Sequence, residues 1–342
     1  MASACRDTTV ALIAGGAALG VYFIYHQRKP RAKRRLVLVT NYEYVANGRD
    51  YATEDLYLQK ALRRRGFSVS TVHPNDLTEA DFRASDHVVF RNTGPVTTHA
   101  AALAKWKRFQ ADGRDCGKLA SNLQLKGDLK GKTHLLELTR AGGYPIIEAQ
   151  LVGQFLRSFR HDGEAQSATA SAIGEGPYML KPLDGADSVG LQEVADRAAL
   201  ERIAAADSEI RERYIVQRLV AFAYEVSFYF VGSRMVYALR SGGVGARWEM
   251  QTYTRENNPG TWDADVEFAR RLHAWNGVSA SVVRVDGGRE VSSGRLLLME
   301  IEDYNPYLSL DLLEEAEREA FVDVLAESIR GGGVCARRPR HS

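Results

Sequence analysis

Two carboxylates on one apolar strand constrain this chain more than any other feature. Arg295-Leu-Leu-Leu-Met-Glu-Ile-Glu302 reads as a β-strand on which Glu300 and Glu302 point to the same face. Ala280-Ser-Val-Val-Arg-Val-Asp286 reads as its partner, with Arg284 and Asp286 likewise on one face. The intervening Gly287-Gly-Arg-Glu-Val-Ser-Ser-Gly294 reads as the turn-rich link of a β-hairpin. Three carboxylates on one face of adjacent strands repel strongly in a low-dielectric interior unless a cation sits among them. Mg²⁺ suits such a place, since it takes hard oxygen ligands and is shared between a few carboxylates and substrate phosphates. A solvated face of alternating charge is the competing reading. Against it, Leu296 to Met299 and Ile301 mark the strand as buried, and buried carboxylates need partners.

A second segment, Tyr178-Met-Leu-Lys-Pro-Leu-Asp-Gly-Ala-Asp-Ser-Val-Gly-Leu191, places one lysine at the end of an apolar strand, ahead of a flexible loop. Tyr178 to Leu180 form the strand and Pro182 stops it. Gly185 and Gly190 allow backbone geometries in which consecutive N–H groups point at an anion, and Lys181 supplies the charge. No Gly-Lys-Ser/Thr follows, so this is not a Walker loop. Alone, the segment is equally compatible with a Gly-rich turn carrying a solvent-facing lysine. Between the two segments, Tyr214 to Leu239 read as an apolar strand, a linker and a hairpin turning at Gly232-Ser233, which together would wall a cleft.

In this order of elements the chain resembles the ATP-grasp superfamily, most closely the D-alanine–D-alanine ligases and related carboxylate–amine ligases. The likeness runs from Leu36 to Ile329. Lys181 and Ser188 look like the second nucleotide-binding lysine and the serine of the phosphate-covering loop. Lys132, in Gly131-Lys-Thr-His ahead of Ala141-Gly-Gly-Tyr-Pro145, is similar to the first such lysine. Gln217, Arg218 and Leu219 correspond to the hinge whose backbone holds adenine, and Glu225 to the acid on the ribose hydroxyls. Arg284 matches the arginine that steadies the tetrahedral species, although an ordinary ion pair with a neighbouring carboxylate accounts for it equally well. Asp286, Glu300 and Glu302 match the metal ligands.

Two positions depart from the family pattern. Gln217-Arg218 stands where a glutamate is usual, and Glu302 stands where the third metal ligand is normally asparagine. Asn305 follows three residues on, as an alternative third ligand or a substrate contact. The extra charge at Glu302 either tightens metal binding or shifts the preference toward Mn²⁺. The resemblance implies an α/β chain of α+β lobes with the ATP-grasp fold, using ATP and Mg²⁺ or Mn²⁺. The implied activity is ligation of a small carboxylate, such as an amino acid, to an amine through an acyl phosphate. A kinase on the same fold, and a tethered ATP-binding module without turnover, are the alternatives.

Ahead of these segments, Arg35 to Thr40 read as a strand, Thr53 to Arg65 as a helix capped by Thr53 and closed by Gly66, and Phe67 to Val72 and Asp86 to Phe90 as two more strands. This Rossmann-like lobe lacks a Gly-rich turn after its first strand, which argues against a dinucleotide site. The expected organisation is 1–35 membrane anchor with a basic flank, 36–117 first lobe, 118–206 lobe with the phosphate loop, 207–330 lobe with the metal site, and 331–342 disordered basic tail. Gly242 to Gly245 read as a loop over substrate, and Arg91, Arg247, Trp248 and Tyr307 as candidate pocket residues.

The chain has 342 residues and a formal charge of +2, which hides an asymmetry. Without Arg6 and Asp7, the basic flank at 28–35 and the arginines of the tail, 35 basic residues face 42 acidic ones, a body of about −7 that argues against a nucleic-acid-binding surface. Thr8 to Tyr25 carry no charge over eighteen residues, enough for one transmembrane helix, with the basic run after it. A cleaved signal peptide has the reverse order, so the expectation is a membrane-anchored protein with its catalytic body in the cytosol. A mitochondrial outer-membrane anchor fits if the source is eukaryotic; a soluble helix or a transit peptide is the alternative. Cys5, Cys116 and Cys335 are scattered, which fits a reducing compartment without zinc or disulfides.

Overall fold

The computed structural model describes residues 33–45, 50–94, 96–111, 132–159, 173–184, 189–242, 249–277 and 282–331. The proposed anchor Thr8–Tyr25, the phosphate-loop residues Gly185 and Ser188, the pocket candidates Arg247 and Trp248, and the tail after Gly331 lie outside these. No helix among the described residues is long and apolar enough to cross a membrane.

The first lobe is a parallel sheet in the order β2 (Ser68–Val72), β1 (Arg35–Val39), β3 (His87–Phe90). Helix α1 (Tyr51–Arg64) covers it. This helix starts two residues earlier than the sequence suggests, because Asp50 is the cap: its carboxylate accepts the Thr53 amide at 2.8 Å. Gly66, at φ +88°, closes the helix as expected. Helices α2 (Glu79–Ala84) and α3 (Val96–Ala111) complete the lobe.

Helix α4 (Thr133–Ala141) leads into an antiparallel sheet ordered β4 (Gln150–Leu151), β7 (Tyr214–Arg218), β5 (Tyr178–Pro182), β6 (Gln192–Val194). The third sheet is antiparallel, in the order β10 (Met250–Thr252), β9 (Arg234–Ser241), β8 (Phe222–Val231), β11 (Val282–Glu290), β12 (Leu296–Glu302). The β8–β9 hairpin turns at Gly232-Ser233, as read from sequence.

The core explains how these layers hold together. Leu36, Leu38, Leu58 and Leu62 of the first lobe share one cluster with Tyr229, Tyr237 and Leu239 of the third sheet and with Phe321, Val322 and Leu325 of the last helix, Glu315–Gly331. The second sheet has its own cluster around Phe155, Tyr178, Leu180, Leu200 and Val216. Its other face contributes Ile215 to a cluster that includes Leu298 of β12, so that face is turned toward the third sheet.

The segment 287–294 differs from its sequence reading. Gly287 to Glu290 are not turn but the end of β11, which pairs with β12 through a bulge at Asp286/Gly287 and with β8 on its other side. The glycines are there for close approach rather than for turning. A Cβ on Gly287 would lie 2.9 Å from the Leu296 side chain, and one on Gly288 would lie 2.5 Å from the Phe222 ring. Gly288→Ala should therefore destabilise the protein by about 1–3 kcal/mol, the usual cost of overpacking. Denaturant unfolding measures it, and an unchanged midpoint would contradict the packing described.

Candidate active site

The β11–β12 register sets the centre of the site. Arg284 pairs with Glu302 and Asp286 with Glu300, so all four side chains emerge from one face of the hairpin. Asp286, Glu300 and Glu302 each offer an oxygen, and these oxygens lie within 4.8 Å of one another. The bulge sits directly beside Asp286.

Arg284 stands among these carboxylates. Its Nε donates to both Asp286 oxygens at 3.0 Å, and its Nη2 to Asp286 Oδ2 at 2.8 Å and to Glu302. Nη2 is also 3.9 Å from Glu300 Oε1, and Nη1 donates to the Tyr307 carbonyl at 3.3 Å. Burial opposes the charged guanidinium, but Asp286 and Glu302 outweigh it and hold the group well above the usual arginine value. The ion-pair reading of Arg284 is thus present in the geometry, and it concerns the very residues read as metal ligands.

Glu300 gathers charge from three parts of the chain. Burial pushes its carboxyl up, yet Lys132, Arg284, Lys181 and His134 together pull it down to about 2. The side chain keeps 34% of its surface open, so the group lies at the floor of a cleft rather than within a sealed core. Lys132 Nζ is 3.5 Å from Glu300 Oε2. Lys132 is fixed at the start of α4, and its amide donates to the Leu183 carbonyl at 2.8 Å, which ties it to the strand end that carries Lys181. Lys181 pairs with Ile215 and Met179 with Gln217, so these four residues share the face turned toward the third sheet.

At the hinge, Gln217 is buried and its Nε2 donates to the Ile147 carbonyl at 2.6 Å, which leaves Oε1 buried without a hydrogen-bond partner. The Leu219 amide is committed to the Pro177 carbonyl at 2.8 Å, and Arg218 pairs with Glu290 at 2.8 Å. Glu225 is half-buried on β8 opposite Gly288, on the same face as Asp286 and Arg284. This donor set fits an adenine nucleotide with a divalent cation: two lysines for phosphates, three hard carboxylate ligands, and an unsatisfied acceptor at the hinge.

Other sequence readings change. Asn305 donates its Nδ2 to Thr93 Oγ1 at 3.0 Å, which links it to the loop after β3, while Glu302 is the residue clustered with Asp286 and Glu300. Arg91 is not an open pocket residue, because it is 3% exposed and bound by Glu54 and Asp55. Tyr307 packs edge-on against Tyr51 at 4.8 Å. His134, whose Nε2 accepts the Ile301 amide at 3.3 Å, was missed by sequence reading; its only signal is its place two residues after Lys132.

The expectation that the carboxylates mainly repel one another is also revised, since for Glu300 the four facing groups dominate. Its folded-state carboxyl titrates below the ordinary 4.5, so its charge stabilises the fold above about pH 4.5 and that contribution fades as pH falls toward 2. Glu300→Gln should therefore lower stability at pH 7, with the difference from wild type narrowing below about pH 4.5 and vanishing only below about 2. Unfolding curves across this range check it; a variant more stable than wild type at pH 7 would mean that repulsion governs.

No protein-family model matches the chain, and no curated protein matches it in sequence. Solved structures do match. D-cycloserine synthetase aligns at a TM-score of 0.63 with 20% identity, over 86% of this chain and 99% of that one. The D-alanine–D-alanine ligase of Bacillus anthracis aligns at 0.60 with 14% identity, over 88% and 99%. A RimK-domain ATP-grasp protein of Sphaerobacter thermophilus aligns at 0.55 with 17% identity, over 87% and 100%. At these identities the likeness is one of architecture, and it is with several ATP-grasp ligases over almost their whole length: the described lobes have the ATP-grasp fold.

Proposed function

We propose that this chain is an ATP-dependent ligase that joins a small carboxylate, such as an amino acid, to an amine. The observation that carries the reading is the convergence of Lys132, Lys181 and Arg284 on Glu300, within the Asp286/Glu300/Glu302 cluster. Bound ATP with its divalent ion, Mg²⁺ or Mn²⁺, would supply the phosphoryl group that converts a carboxylate oxygen into a leaving group, as an acyl phosphate.

The chain's own residues have separable tasks in this reading. Lys132 and Lys181 neutralise the phosphates, with the backbone of the Gly185–Ser188 loop as further donor. Asp286, Glu300 and Glu302 hold the cation. Arg284 offers a fixed positive charge beside them, where an oxyanion develops on the acyl carbon when the amine attacks. A kinase needs the first two tasks but no cation at an acyl carbon, so Arg284 favours the ligase. The body is proposed to lie on the cytosolic side of a membrane, tethered by Thr8–Tyr25.

Incubation with ATP, Mg²⁺ and a panel of amino acids tests the activity. A ligase releases phosphate only when both acceptors are present, a kinase yields a phosphorylated acceptor, and a binding module releases none. Lys181→Ala should cost about 1.5–3 kcal/mol of ATP binding, a weakening of roughly ten- to a hundredfold by calorimetry. An unchanged dissociation constant in the folded variant would remove Lys181 from the phosphate site. Deleting Met1 to Lys33 should move the protein from the membrane to the soluble fraction with ATP affinity intact, because the compact unit begins at Arg34. Recovery of the full chain in the soluble fraction without detergent would refute the tether.

A further inference from the structure

Glu54, in the first turn of α1, and Asp55 after it are 6% and 0% exposed, and carboxylates so buried are rare unless paired. Arg91 binds both: its Nε donates to Asp55 Oδ1 at 2.8 Å and its Nη2 to Glu54. The Thr40 hydroxyl donates to Asp55 Oδ2. One guanidinium thus faces two carboxyl groups in the interior. The remaining donors come from elsewhere in the chain. The amides of Leu308 and Leu310 donate to Glu54 at 3.1 and 3.0 Å, and Arg91 Nη1 donates to the Pro306 carbonyl at 2.7 Å.

That loop, 306–310, is held by side chains at nearly every residue. The Tyr307 carbonyl accepts from Arg284 at 3.3 Å and the Leu308 carbonyl from Tyr237 Oη at 2.6 Å. Ser309 is held at φ +53°, a left-handed conformation uncommon outside glycine. A cavity of about 20 Å³ is bordered by Leu38, Phe90, Arg91, Pro306 and Leu308, and Leu308 and Leu310 are themselves buried in the core, so packing holds the loop in place while the polar contacts give its backbone direction. Glu54 grips the amides on either side of Ser309, and Arg284 grips the carbonyl one residue before Leu308.

We propose that Glu54 is a positioning residue: by fixing the 306–310 loop from the first lobe, it sets where the Arg284 guanidinium stands. The importance of that position for chemistry rests on the ligase reading, whereas the mechanical link does not. An apolar contact could join the same elements without the cost of burying charge. What Glu54 adds is direction, since its two oxygens define where two specific N–H groups must lie.

The test uses the full chain with Glu54→Gln, which keeps the shape but replaces one acceptor oxygen with an NH₂ donor. Two measurements need no turnover: hydrogen exchange across residues 306–310, and the Nε–H resonance of Arg284, identified by its loss in Arg284→Lys. Expected are exchange about tenfold faster at the Leu308 and Leu310 amides, a displaced Arg284 resonance, and ATP affinity within about twofold of wild type. Glu79→Gln, at an exposed pair with Arg83 on α2, should change none of these. An unmoved Arg284 resonance in folded Glu54→Gln overturns the proposal, as does unaltered loop exchange.

If Glu54→Gln does not fold, the wild-type protein still decides the matter. Burial pushes Glu54 up, Arg91 and the two amides pull it back, and the carboxyl settles at about 7. Around it stand Asp55 and Tyr51 on α1, Arg91 after β3, Tyr229 and Tyr237 of the third sheet, and Arg284 beyond the loop. Raising pH from 6 to 8 should ionise Glu54, deepen protection of both amides and shift the Arg284 resonance together. A flat response in both refutes the link. Once a substrate pair is known, Glu54→Gln should lower kcat with the KM for ATP unchanged, whereas a merely structural role would weaken ATP binding as well.

Discussion

The charge balance at Glu300 is the interaction on which the rest of the structure depends. Its partners come from three separate segments: Lys132 before α4, Lys181 at the end of β5, and Arg284 on β11. None of these is near Glu300 in sequence, so their convergence requires the second and third sheets to face each other. A shared hydrophobic cluster that includes Ile215 and Leu298 brings the sheets together, and the backbone bond from Leu298 N to the Pro145 carbonyl, 2.9 Å, pins the crossing segment. Apolar packing provides most of the free energy, while the ionic groups determine what the resulting cleft can bind.

A cluster of three carboxylates, one buried and two half-buried, is tolerable only because it is not electrostatically isolated. Arg284 answers Asp286 and Glu302, and the lysines answer Glu300. Glu302 is instructive here. An asparagine at that position would leave Arg284 one charged partner fewer, so the glutamate serves as counter-ion as well as candidate ligand. The site keeps its negative charges close without large net repulsion, which suits a place meant to receive a cation and a polyphosphate.

The loop after β12 shows the same logic with a different cast. Leu308 and Leu310 are buried in the core, and its backbone is bound by Glu54, Arg91, Tyr237 and Arg284. The first lobe is therefore more than a covering layer. Through Asn305 on Thr93 and Glu54 on Leu308 and Leu310, it reaches the border of the candidate site.

Much of this was legible along the chain because it follows from local periodicity. The strand β12, its two carboxylates on one face, the partner face of Arg284 and Asp286, and the lysine ending β5 all rest on a two-residue repeat, which survives whatever the tertiary context. The extent of β11 was not legible, since Gly287-Gly288 has the composition of a turn and only the Phe222 and Leu296 side chains lying against it make those glycines strand residues. Arg91 was misread for the same reason: nothing around it in sequence reveals that Glu54 and Asp55, 37 and 36 residues earlier, will close over it. Glu54 and Asp55 look like ordinary acids favoring a helix N-terminus. Sequence alone thus determined which residue types share a strand face, because that depends on backbone geometry within a few residues. Tertiary structure alone decided which charges neutralise which, because Coulomb partners are selected by distance and burial, and both arise only when remote segments pack.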